Sequence, residues 1–256
     1  MIIFTLANIE EHPLLNEIYY LYFCMNFNTK KMTTTFEIDT FDGHIIIIDN
    51  GKKILLDTGC PFSIGRQYTL EFMGKQHHCT TSLGGIGIEI ISRLMNYNVD
   101  ALMGMDLIKQ YYLKIEYNNK SITFSEDEIP FSPICSTPII NEMNAISIDL
   151  SVKGDNVRLA LDTGAKISYI GKTFTQNEVA TDTKSDFNPM IGNFETPIYN
   201  LNASIGGNVI PVKFGNLPGM YAMQMKMMGL DGAIGYDLFI AHNVYLDFHK
   251  WTMHIG

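Results

Sequence analysis

Lys53-Ile-Leu-Leu-Asp-Thr-Gly59 recurs as Arg158-Leu-Ala-Leu-Asp-Thr-Gly164, so an apolar run feeds an Asp-Thr-Gly twice, and the repeat places Asp57 and Asp162 105 residues apart. A serine stands six residues after each aspartate, at Ser63 and Ser168. A second pair of segments also matches: Asp100-Ala-Leu-Met-Gly-Met-Asp-Leu107 aligns with Asp231-Gly-Ala-Ile-Gly-Tyr-Asp-Leu238. The match continues without a gap through LKIEYNNKSITF (113–124) and VYLDFHKWTMHI (244–255). This second pair is 131 residues apart, so the later copy holds 26 more residues between its two motifs. Motifs repeated in the same order mean one structural unit used twice.

A lone Asp-Thr-Gly occurs by chance in roughly a few of every hundred chains of this length and is then an ordinary turn after a strand. Two copies, each after an apolar strand and each followed by apolar-apolar-Gly, point to chemistry instead. Two lobes related by a pseudo-twofold axis bring equivalent loops face to face, and each loop offers one carboxylate, Asp57 or Asp162. Neighbouring carboxylates cannot both ionise easily, so they share a proton and divide into an acid and a base. Such a pair can activate a water and protonate a carbonyl with neither metal nor cofactor. Gly59 and Gly164 let the backbone N–H groups approach the carboxylates.

In these residues the sequence resembles the aspartic proteases of the pepsin and retropepsin type. The resemblance covers about residues 40–256 and rests on the two Asp-Thr-Gly motifs, Leu102-Met103-Gly104 and Ala233-Ile234-Gly235. The Gly-Met-Asp-Leu and Gly-Tyr-Asp-Leu continuations lean to the retropepsin branch. It implies an all-β, bilobal acid-protease fold with pseudo-twofold symmetry, few short helices and a substrate cleft between lobes. It implies an aspartic endopeptidase that takes an extended polypeptide and hydrolyses it with a water activated by Asp57 and Asp162. Thr58 and Thr163 would cross-brace the loops. The alternative is a non-catalytic peptide-binding or scaffold module retaining the protease fold. A third reading is a self-processing enzyme acting on its own leader.

Two positions depart from the pattern. Pepsin-like members carry Ser or Thr after Asp-Thr-Gly; here Cys60 and Ala165 stand there. Without hydroxyls bonding the charged form, the carboxylates should titrate higher, giving an activity optimum of about pH 5–7. Cys60 beside the dyad also raises the expectation of inhibition by thiol modifiers. Lobe two's extra residues include Gly192-Asn193 and Gly206-Gly207, turn signals between alternating runs. They predict one covering hairpin, a flap, with Met190, Ile191, Gly192, Asn193 and Phe194 at its tip.

The expected organisation is an N-terminal extension or leader at 1–32, lobes at 33–125 and 140–256, and a proline-bearing linker at 126–139. Short apolar or alternating runs divided by Gly and Asn predict strands, and Gly87–Met95 predicts a helix. The 256 residues suffice for a sizeable core. A net charge of −9 argues against a nucleic-acid partner. Ile18–Phe27 is too short to span a membrane and lacks a signal peptide's basic lead-in, so a membrane partner is not expected. Without that secretory context the sequons at Asn119 and Asn202 carry no weight. Four widely spaced cysteines read as free thiols of a cytoplasmic protein. His77-His78-Cys79 has no second ligand group at metal-site spacing. Both carboxylates come from one chain, so a monomer suffices.

Overall fold

The computed structural model describes residues 31–188 and 191–256. The chain divides into two units between Met32 and Thr33, and every described strand and helix lies in Thr33–Gly256. The run Ile18–Phe27 and the flap-tip residue Met190 lie outside the described residues.

Lobe one opens with a meander of β1 (Thr33–Phe41), β2 (His44–Asp49) and β3 (Lys52–Leu56). Its turns are Asp42-Gly43 and Asn50-Gly51, all four at positive φ, the backbone that a tight two-residue hairpin requires. Then come β4 (Ile64–Gly65), the hairpin β5 (Thr69–Phe72) and β6 (Lys75–His78), α1 (Ile88–Met95) and β7 (Ala101–Met103). α2 (Met105–Ile108), β8 (Tyr112–Glu116) and β9 (Ser121–Ser125) complete it. The first helix begins one residue later than the sequence predicts, because Gly87 is its extended N-cap.

Lobe two repeats the plan. Its meander is β10 (Cys135–Glu142), β11 (Ala145–Val152) and β12 (Asp155–Leu161), followed by β13 (Ser168–Ile170). A long hairpin, β14 (Asp182–Asn188) and β15 (Gly192–Ile205), then β16 (Asn208–Gly215) take up the extra residues. α3 (Gly219–Met227), β17 (Gly232–Ile234), α4 (Tyr236–Ala241), β18 (Val244–Asp247) and β19 (Thr252–Ile255) close the chain.

The repeat holds residue by residue in the pairings. β3 runs parallel to β7 with Leu56 opposite Met103, and β12 runs parallel to β17 with Leu161 opposite Ile234. β4 lies antiparallel to β7 through Ile64 and Leu102, as β13 does to β17 through Tyr169 and Ala233. The lobes join where β8 pairs antiparallel with β18, in the order β1-β9-β8-β18-β19-β10. At the centre of that seam Lys114 faces Tyr245, its own counterpart in the repeat. A residue can sit opposite its own copy only on a twofold axis.

The expected linker ends earlier than its predicted limit of 139. Cys135–Pro138 pair with Thr252–Ile255, and Ile139–Glu142 then pair with β11. Pro138, which has no N–H to donate, sits where β10 changes partner, so the strand absorbs it. One apolar core, from Phe36 to Ile255, runs through both lobes. Smaller clusters lie under α1 (Ile46, Leu55, Ile88, Ile91) and α3 (Ile167, Tyr169, Ile198, Met225).

Candidate active site

Each Asp-Thr-Gly leaves a buried strand and turns at once. The Asp57 N–H donates to the Met103 carbonyl and the Asp162 N–H to the Ile234 carbonyl, both at 3.0 Å, so each loop hangs from the strand beside it. Between the loops the threonines bond reciprocally. The Thr58 N–H donates to Thr163 Oγ1 at 3.0 Å, and the Thr163 N–H donates to Thr58 Oγ1 at 2.9 Å. Their hydroxyls donate across the axis to the Leu161 and Leu56 carbonyls at 2.7 and 2.9 Å. Both threonines are buried, with 0% and 1% exposure, so every one of these bonds is made away from water.

This brace sets the carboxyls side by side. The Gly59 N–H donates to Asp57 Oδ1 and the Gly164 N–H to Asp162 Oδ1, each at 2.9 Å. A Cβ on Gly59 would lie 2.6 Å from the Asp162 carboxyl carbon, and one on Gly164 would lie 2.7 Å from that of Asp57. Only glycine permits this approach. Each carboxyl thus lies against the glycine of the opposite loop, and the two side chains interact directly. Desolvation, then the charge of Asp162, lifts Asp57 to about 8. Asp162 is also raised, chiefly by desolvation, against the hydrogen bond from Gly164. Both carboxyls are thus pushed toward holding a proton, the arrangement of a coupled pair.

Behind each loop stands a matching support. Ser63 Oγ donates to Asp106 Oδ1 at 2.7 Å and accepts the Gly104 N–H at 3.0 Å. Ser168 Oγ donates to Asp237 Oδ2 at 3.2 Å and accepts the Gly235 N–H at 3.1 Å. The serines recur in the repeat, and their partners Asp106 and Asp237 belong to its Gly-x-Asp-Leu signature, whose supporting role only the fold discloses. Gly104 and Gly235 have no room for a Cβ, which would meet the Phe62 and Ala165 backbones at 2.5 and 2.2 Å.

The lobe-two hairpin pairs Asn188 with Gly192 and Phe187 with Asn193. Of the candidate tip residues, Ile191 and Gly192 are at the turn, Asn193 is exposed, and Phe194 turns inward onto Tyr169 at 6.2 Å. Phe187 packs against lobe one's α1 cluster and lies 6.5 Å from the His44 ring. The lobe-one hairpin β5–β6 is shorter, and Leu70, Phe72 and Met73 tie it into the main core. Tyr221, on α3, is felt electrostatically by both aspartates, and its hydroxyl bonds the Asn188 side chain. Sequence reading missed it because α3 carries methionines all round, with no helical stripe.

Cys60 does not match the expectation of a reactive thiol. Its Sγ donates to the Phe62 carbonyl at 3.2 Å, and burial and the Asp57 charge push it up to about 12. It therefore stays a protonated thiol, a poor nucleophile. His77, His78 and Cys79 do not converge: the His77 ring meets the Phe72 carbonyl and Cys79 donates to that of Gln67. Among the described residues no group of three or more metal-ligating side chains stands together, and no helix is long and apolar enough to cross a membrane.

No family model matches the chain. DNA damage-inducible protein 1 of Phaeosphaeria nodorum is 31% identical over 64 residues, 25% of this chain and 14% of that protein, so the match spans a small part of that relative. A solution structure of the simian foamy virus (mac) protease aligns at 17% identity, covering 32% of this chain and 94% of its own, with a TM-score of 0.25. The crystal structure of an aspartic proteinase from Irpex lacteus aligns at 11% identity, covering 88% of this chain and 97% of its own, with a TM-score of 0.47. In its doubled loops and two-lobed β architecture the chain resembles the aspartic proteases of the pepsin and retropepsin type.

Proposed function

We propose that the protein is an aspartic endopeptidase in which Asp57 and Asp162 hydrolyse a peptide bond through an activated water. The observation that carries this reading is the reciprocal threonine brace on the pseudo-twofold axis, which sets each buried carboxyl against the glycine of the opposite loop.

The proposed cycle starts with one proton on the pair, assigned to Asp57, so that Asp162 is the base. Asp162 takes a proton from a water held between them as the water's oxygen attacks the scissile carbonyl carbon. Asp57 gives its proton to the carbonyl oxygen, and a gem-diol forms. Collapse of the diol returns one hydroxyl proton to Asp57. Asp162 gives its proton to the departing amine nitrogen as the C–N bond breaks. The dyad ends with one proton, as it began. No covalent intermediate forms, so a nucleophile such as Cys60 has no part. An extended polypeptide would lie between the hairpin and the loops.

The test is hydrolysis of an unfolded protein by the wild type, Asp57→Asn and Asp162→Asn, with and without a statine-type inhibitor. Each substitution should cost about 10³-fold or more in turnover. Equal degradation by all three proteins would end the reading. Peptide binding without turnover in the wild type would select the scaffold alternative.

A further inference from the structure

In β14 four exposed residues, Asp182 to Ser185, lead into a buried one, and that residue is a carboxylate, Asp186. Its oxygens are claimed from several directions. Tyr169, on β13, donates its hydroxyl to Oδ2, and the Phe187 N–H donates to Oδ1 at 2.8 Å. Lys166 Nζ lies 3.7 Å from Oδ1 and reaches on to Asp42 Oδ2 of lobe one at 2.8 Å. Lys166 stands four residues beyond Asp162, so the ion chain runs from the hairpin, past the second Asp-Thr-Gly loop, to the β1–β2 turn. That turn is pressed in: a Cβ on Gly43 would lie 2.9 Å from that of Lys166. The next residue, His44, is 5% exposed and faces Asp186, Asp42, Lys166 and the Gly164 backbone. Its Nδ1 is buried without a partner.

The pseudo-twofold axis does not repeat this cluster. The counterparts of Asp42 and His44 in the β10–β11 turn are Met143 and Ala145, and that of Lys166 is Pro61. Among the described residues the ionic chain lies on one side of the dyad, the side from which the long hairpin springs.

Resting on the protease reading above, we propose that Asp186 is a positioning residue that pins the turn-proximal half of the lobe-two hairpin, where it pairs with Phe194, to both lobes through Tyr169, Lys166 and Asp42, and thereby holds the hairpin at the dyad. The same carboxylate adds a smaller influence on Asp162, behind burial and the loop's hydrogen bonds, where its charge favours retention of a proton. One residue thus couples the lid's placement to the dyad's proton.

Asp186→Asn keeps the size and the acceptor but removes the charge, so Lys166 loses one partner. Three measurements read the consequence: peptide cleavage across pH, hydrogen exchange of the amides in 182–198, and thermal unfolding. The expected result is a KM raised about tenfold with a smaller fall in kcat. The basic limb of kcat/KM should move to lower pH, because the dyad loses a neighbouring negative charge. Amides of the hairpin should exchange faster while those of β12 and β17 do not change. Lys166→Met should reproduce the KM and exchange effects and Lys166→Arg should restore both, which keeps the proposal testable if Asp186→Asn does not fold. Unchanged KM, limb and exchange in folded Asp186→Asn would overturn it, as would a uniform loss of stability with no change in the limb. The exchange measurement needs no turnover, so it judges the pin even if Asp57→Asn shows that the protease reading is wrong.

Discussion

At the scale of single residues, the chemistry is a matter of where protons can reside. Asp57 titrates higher in the folded protein, at about 8, than its ordinary value of 3.8, because it is desolvated and faces Asp162. The folded state therefore holds a proton that the unfolded chain releases between these values. Stability contributed by that proton is complete below about pH 4 and is lost as pH rises through about 8. Asp57→Asn should flatten this fall, so its melting temperature should gain on the wild type as pH is raised from 4 to 8 in a thermal scan. The threonine brace makes a separate prediction. Thr58→Ala strips the acceptor from a buried Thr163 N–H and the donor from the Leu161 carbonyl. Leaving those groups unmet should cost about 1–3 kcal/mol, read from the urea midpoint. The dyad residues themselves could be named from the sequence because an Asp-Thr-Gly repeated in register is a chemical statement. Asp186 could not: among 27 acidic residues its segment has no repeat and no motif.

The elements differ in how plainly they were written. α1 has isoleucines and methionine on one face and a glycine before it, and both features were readable. α3 follows Pro218, and its residues Met220, Met223 and Met227 are exposed, so periodicity could not announce it; only its position, equivalent to α1 in the repeat, explains it. The long hairpin was legible from its glycines and from the 26 additional residues. Which neighbours it touches was not, because cross-lobe contacts leave no local signal. Phe187 makes the clearest of these, against His44 and the α1 cluster. Phe187→Ala should raise KM several-fold, roughly the effect of losing 1–2 kcal/mol of apolar contact, with a smaller change in kcat. Steady-state kinetics on a fixed peptide checks this, and an unchanged KM would mean that the hairpin's approach to lobe one does not serve substrate.

Across the whole molecule, the two lobes are held by one sheet and one core. Leu113 and Leu246 face each other in the seam between β8 and β18, both fully buried. Leu113→Ala should cost about 2–5 kcal/mol, with the urea slope unchanged if the lobes unfold together. A second transition in the same titration would show that they unfold separately. The symmetry places Lys114 opposite Tyr245 and Thr58 opposite Thr163, yet it is broken in the ionic cluster and the hairpin that the cluster pins. The amino-acid sequence by itself determined the duplication, the pair of carboxylates and the β-rich units, since each is a local pattern of residue type and period. Tertiary structure alone decided that the two carboxyls lie buried side by side, that Cys60 turns to a carbonyl, and that Asp42, Lys166, Tyr169 and Asp186 converge. The reason is physical: strand period and turn chemistry are properties of neighbours in the chain, whereas desolvation and ion pairing depend on groups up to 144 residues apart meeting in one place.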